Sequence, residues 1–182
     1  MATEIQYAGT IANVTDSPFS SDSGWTDPTN ASGDTTSTSA YISGPGFSDT
    51  GKGLHCTNFG FSAVSGTVNG ILVEIEMDSF SGTTTEHLRI VKGGTIGSDS
   101  THDGTSVPTS KGWVSVGSGS DTWGESWLDS DITASTFGAA FNATFGGGPP
   151  GTWVFAYRVK ITVDYTAGGG GSASQTTTLG AG

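Results

Sequence analysis

The segment from Trp153 to Tyr165, WVFAYRVKITVDY, alternates apolar and polar side chains almost without a break. A period of two is the signature of a strand with one buried face. At about 3.3 Å per residue it predicts an antiparallel strand of roughly 40 Å. The alternation sends Phe155, Tyr157, Val159, Ile161, Val163 and Tyr165 to one side. Ala156, Arg158, Lys160, Thr162 and Asp164 go to the other. The pattern ends at Ala167-Gly-Gly-Gly-Gly, and a polar tail, SASQTTTLGAG, runs on to Gly182. The chain therefore divides into a β-domain over 1–166 and a Gly/Ser/Thr-rich arm over 167–182. Residues 1–16 form either an N-terminal edge strand, around Ile5 to Ile11, or a second arm.

Other runs repeat the strand signature at shorter length. Ile71 to Met77 alternates strictly, with Ile71, Val73, Ile75 and Met77 inward and Glu74 and Glu76 toward water. Further strands are expected at Tyr41-Ile42, Leu54 to Phe61, Glu86 to Lys92, Trp113 to Val116 and Phe137 to Phe145. Asp27-Pro28 favours a turn, and Trp25 is the expected anchor of the long loop around it. Asp129 to Ser135 fits one helical turn capped by Ser130 or Asp131. Only 33% of residues are hydrophobic and 13% charged, which suits short strands and wide polar loops. About eight short strands with almost no helix predict an all-β fold. The expected form is a two-sheet antiparallel β-sandwich, jelly-roll-like, with an extended C-terminal arm.

The charge balance excludes several partners. The net charge is −11 with only six Lys and Arg, and no basic cluster occurs. Direct binding to nucleic acid is not expected. Cys56 is the only cysteine, so no intrachain disulfide can form, and its apolar surroundings mark it as a small buried hydrophobe. The N-terminus lacks the basic and apolar regions of a signal peptide, and no run approaches a membrane span. The expectation is a chain made in a cytoplasm, with no membrane partner.

No catalytic residue set stands out, and an enzyme is not expected. His55 and His87 fall within predicted strands, and no serine sits in a Gly-X-Ser-X-Gly elbow. Glu74 and Glu76 would lie about 7 Å apart on one solvent face, an ordinary spacing for strand neighbours rather than two carboxylates across a cleft. Asp99, His102 and Asp103 in one loop, and Asp121, Asp129 and Asp131 in another, carry the oxygen ligands that Ca²⁺ takes. Neither stretch has the EF-hand spacing, so a loop-bound Ca²⁺ is the weaker expectation and no cofactor is the stronger. Five tryptophans are many for this length. Trp123 and Trp127, four apart, are the candidates for a glycan platform or an interface.

Three segments together resemble a β-sandwich domain that recurs in tailed-bacteriophage virion structural proteins. They are Trp25-Thr-Asp-Pro-Thr-Asn-Ala, Asn58-Phe-Gly-Phe with Gly70-Ile-Leu-Val-Glu-Ile, and Trp123-Gly-Glu-Ser-Trp with Phe137-Gly and Val159-Lys-Ile-Thr-Val-Asp-Tyr. The resemblance covers about residues 20–166 and brings no catalytic residue with it. It implies a non-enzymatic structural protein on a virion. The leading expectation is a capsid decoration (cement) protein that stabilises a phage head. Its expected partners are the major capsid protein or other virion subunits, with further copies of itself as a homo-oligomer. The arm, with Gly168, Gly169, Gly170, Gly171, Gln175 and Leu179, lies outside the resemblance and is the expected assembly tether. One alternative is a phage tail or fibre component that binds host-surface glycans. Another is a carbohydrate-binding module.

Overall fold

A computed structural model of the chain describes residues 1–19, 24–43, 49–62, 64–79, 84–145 and 153–168. The strands in chain order are β1 (Ala2–Tyr7), β2 (Thr10–Val14), β3 (Ala40–Ser43), β4 (Asp49–Thr50), β5 (Gly53–Thr57) and β6 (Gly66–Ser79). They continue as β7 (Thr84–Lys92), β8 (Thr95–Ile96), β9 (Thr105–Ser106), β10 (Gly112–Ser118), β11 (Gly138–Phe145) and β12 (Trp153–Ala167). One helical turn, α1, spans Asp129–Thr133, and a short 3-10 turn spans Pro28–Ala31. No helix among the described residues is long and apolar enough to cross a membrane.

The strands build two sheets. The first has the order β1-β12-β6-β10, with β3 also pairing β12. The second has the order β2-β5-β11-β7-β8, with β4 on β11 and β9 on β7. Every described pairing is antiparallel. The longer strands step from one sheet to the other along the chain, so hairpin neighbours are rare and the layers are laced together. That is the expected all-β, jelly-roll-like sandwich.

The core lies between the sheets. Ile71, Val73, Ile75 and Met77 of β6 and Val159, Ile161 and Val163 of β12 are fully buried from one side. Leu54, Leu88, Ala139 and Phe141 meet them from the other. Each large apolar side chain removed from water this way contributes roughly 1.5–3 kcal/mol. Cys56 is buried among them. Trp25 anchors its loop as expected. Its indole nitrogen donates to the Lys52 carbonyl at 2.9 Å, and the Asn13 amide brackets its backbone N–H and C=O, both at 2.9 Å. In α1 the N-cap is Leu128, not Ser130 or Asp131 as expected; Asp131, the third helical residue, accepts from the Leu128 N–H at 3.0 Å.

Three further expectations change. The N-terminal edge strand is two strands in different sheets, because Ala8-Gly9 crosses between them. The Ala8 N–H donates to the Val159 carbonyl, and the Gly9 N–H to those of Thr57 and Asn58. The strand expected over Leu54 to Phe61 stops at Thr57, where Asn58 takes a positive φ of 56°. Phe59 and Phe61 still pack in the core, from a loop.

The third change concerns β12. Its register against β6 slips between Ala156 and Arg158, so Tyr157 has no partner residue. One extra residue in a strand reverses which face the following side chains take. Val159, Ile161, Val163 and Tyr165 are buried as expected, but Val154 and Ala156 are buried too. Phe155 and Tyr157, expected inward, stand instead on the outer face with Trp153.

Candidate ligand-binding face

The outer face of the first sheet collects what the reversal exposes. Phe155 of β12 lies opposite Tyr41 of β3 on one side and Asp78 of β6 on the other. The Tyr41 and Trp153 rings are 5.2 Å apart between centroids, and Tyr41 and Phe155 are 6.2 Å apart. The Trp153 and Phe155 rings run nearly parallel, 12° between planes at 6.4 Å. Large apolar rings normally seek the core. Here Trp153 keeps 36% of its surface exposed.

A second ring stands across the sheet. Trp113 of β10 pairs with Glu76 of β6, which pairs with Arg158 of β12. Trp113 is 37% exposed. The Arg158 guanidinium sits 4.9 Å and the Lys160 ammonium 4.3 Å from its ring centre. Cations over an aromatic face are attracted by its quadrupole.

Polar groups fill the strip between the rings. Arg158 Nε donates to Glu76 at 3.0 Å, and the same guanidinium pairs with Asp34. Lys160 Nζ lies 2.9 Å from Glu74. The Tyr157 hydroxyl donates to Asp78 at 3.2 Å, while Lys111 Nζ stands 3.7 Å over the Tyr157 ring and donates to the Thr36 carbonyl. Burial, and then Asp78, pushes the Tyr157 phenol above its usual pKa. Burial, and then Asp34, does the same for Tyr7 beside Arg158. Both phenols therefore stay protonated and able to donate across the neutral range.

The residues proposed from sequence fall elsewhere. Trp123, expected as a glycan platform, is 2% exposed. Its indole nitrogen donates to the Ile71 carbonyl at 2.9 Å, and the His102 ring lies against it at 4.0 Å. A buried ring cannot stack on a sugar, so that expectation is corrected. Trp127 is half-buried, edge-on to Phe137 at 5.5 Å, with its nitrogen bonded to the Thr122 carbonyl. Gly168 closes β12 by donating to the Ser65 carbonyl at 3.0 Å. Gly169, Gly170, Gly171, Gln175 and Leu179 lie outside the described residues.

The loop carboxylates do not converge on a cation site. Burial pushes the Asp103 carboxyl up, but hydrogen bonds from Arg89 and His87 outweigh it and hold the group below its usual range. Asp129 accepts from the Gly66 N–H at 3.1 Å, Asp99 from the Thr101 N–H at 2.9 Å, and Asp121 faces His102 at 3.1 Å. Among the described residues no group of three or more His, Cys, Asp or Glu is placed to hold a metal ion.

Sequence reasoning missed Tyr41, Trp113, Trp153 and Phe155 as a group. One signal was present. From Trp153 to Tyr157 the chain is apolar at every position, whereas from Arg158 to Asp164 it alternates. Such a stretch must either be buried on both faces or show an apolar face to solvent.

No family model matches the sequence, and no curated protein does. Two solved structures are similar in shape, both cellulose-binding domains of Cellulomonas fimi β-1,4-glucanase C. The N-terminal domain aligns over 90% of each chain with 12% identity and a TM-score of 0.40. The second N-terminal domain aligns over 88% of this chain and 93% of its own, with 10% identity and a TM-score of 0.47. Both scores lie below 0.5, and neither likeness bears on what this chain binds.

Proposed function

We propose that the chain is a non-catalytic carbohydrate-binding β-sandwich whose outer first-sheet face takes the sugar. The carrying observation is the outer-face cluster of exposed Trp153 with half-buried Phe155 and Tyr41, beside a strip of hydrogen-bonding side chains. Sugars present C–H faces that stack on rings and hydroxyls that need donors and acceptors, and this face offers both. Rings held on strands suit recognition, since the sheet fixes their spacing before the ligand arrives. A glycan array probed with the parent protein and with Trp153→Ala tests the reading. Binding by the parent that disappears in the variant is the expected result. Equal signals from both would sink it.

A second reading comes from the resemblance of the segments around Trp25, Asn58 and Trp123 to phage virion domains. In it the chain is a particle subunit, a decoration protein on a head or a tail component reaching host glycans, with residues 167–182 as its tether. Mass spectrometry of purified particles decides by copy number. Hundreds of copies per particle favour decoration, and a few to a few dozen favour a tail position. Absence from particles removes the reading.

A further inference from the structure

The sheet face also has an unusual charge distribution. The whole chain has six Lys and Arg, and three of them, Lys111, Arg158 and Lys160, stand on this one surface. Four carboxylates interleave with them: Asp34, Glu74, Glu76 and Asp78. With Asp164 farther along the same face of β12, three positive and five negative charges leave the face at −2, while the chain carries −11. Most of the excess negative charge lies elsewhere. The cations are also engaged, Arg158 with two carboxylates and Lys160 with one.

A polyanion approaching this surface would have to displace those carboxylates and lie beside them. Like charges at such separations repel, and no compensating cation is left over except Lys111. A neutral hydroxyl behaves differently. It can accept from the guanidinium or ammonium and donate to the adjacent carboxylate without breaking the pair. The ladder is thus a two-handed hydrogen-bonding strip, suited to vicinal hydroxyls.

The aromatic groups set the length. Between Phe155 and Trp113 lie two strand spacings and two residues along β6, which places their Cα atoms about 12 Å apart. From Trp153 the same count gives about 17 Å. No single sugar ring spans either distance. We infer that the face reads a neutral, extended glycan that covers both the Trp153–Phe155–Tyr41 cluster and Trp113. This inference rests on the proposed function and specifies its ligand.

The test is affinity electrophoresis of the full chain through gels holding a neutral polysaccharide (galactomannan, dextran or hydroxyethylcellulose) or an acidic one (polygalacturonate or alginate). Each is run at low salt and at roughly 0.5 M NaCl, where exposed charge pairs are screened. Calorimetry with the matching neutral oligosaccharides, from one unit upward, follows for the parent, Trp113→Ala and Trp113→Phe. The expected result is retardation by at least one neutral polymer, unchanged by salt. Affinity should climb with length and then level off. Trp113→Ala should weaken the longest oligomers about tenfold and leave the shortest unchanged, and Trp113→Phe should recover most of the loss. Retardation by acidic polymers alone, lost in salt, would overturn the inference and leave a sugar-binding face. So would an affinity indifferent to length or to Trp113. Retardation in no gel would overturn the proposed function itself.

Discussion

Replacing Trp123 separates a core residue from a surface platform. The side chain is 2% exposed, wedged against His102, and bonded through its indole N–H to the Ile71 carbonyl. Gly117 lies beneath it, where even an added Cβ would come within 3.0 Å of the indole nitrogen. Trp123→Ala removes the ring from this closed site and leaves a cavity, at a cost of about 3–5 kcal/mol. Loss of the partner of a buried carbonyl adds about 1 kcal/mol or more. A domain stable by roughly 5–15 kcal/mol would be left marginal. Trp123→Phe is the gentler probe. It keeps most of the ring and forfeits the hydrogen bond, for about 1–2 kcal/mol. With a urea slope of about 1–3 kcal/mol per molar, the Phe variant should lose roughly 0.3–2 M from its midpoint. Far-UV circular dichroism is the right signal, since the substitution itself alters tryptophan fluorescence. If both variants unfold within about 0.5 kcal/mol of the parent but lose ligand binding, Trp123 is a surface ring and the packing account is wrong.

Three further outcomes are expected. Burial pushes the Cys56 thiol far above its ordinary pKa, so it should resist thiol reagents in the native protein and react only on unfolding; rapid native-state labelling by mass spectrometry would contradict this. Burial holds the His55 imidazole below 6.5, against an opposing pull from Asp16. The unfolded chain therefore takes up that proton first, so His55 weakens stability as pH falls from about 6.5 toward its folded pKa and has no such effect above. Urea midpoints between about pH 7.5 and 5 should drop on acidification, and less so in His55→Gln; an equal drop in both would remove His55 as the cause. A Cβ on Gly138 would fall 1.9 Å from the Cys56 carbonyl oxygen across the β11–β5 pairing. Gly138→Ala should therefore cost at least about 1–3 kcal/mol in a thermal melt, and an unchanged melting temperature would show that the two strands can part there.

The sandwich was legible because its strands announce themselves by alternation. In β6 the pattern from Ile71 to Met77 maps one-to-one onto buried and half-buried positions. The latter half of β12 follows the same pattern from Val159 to Val163 except at Thr162, which is buried. The partition of strands between sheets was not legible, since period two says nothing about which neighbour a strand pairs with. The aromatic outer face escaped for a different reason. Tyr41, Trp113 and Trp153 lie on three strands far apart in sequence, and only the pairing of β3 and β6 with β12 and of β10 with β6 brings them together. Trp123 misled because tryptophans four apart near a turn look exposed. It takes a positive φ of 58°, and its ring lies in the core.

The unpaired Tyr157 has a consequence for how such a face arises. A strand uninterrupted there would send Trp153 and Phe155 between the sheets and leave Val154 and Ala156 in water. One inserted residue exchanges those two sets without altering any other side chain or the packing beyond Val159. Gain or loss of an aromatic outer surface on this scaffold is therefore within reach of a single-codon insertion or deletion. Relatives that differ by one residue in the first half of this strand would share the interior from Val159 onward and differ on both faces before it.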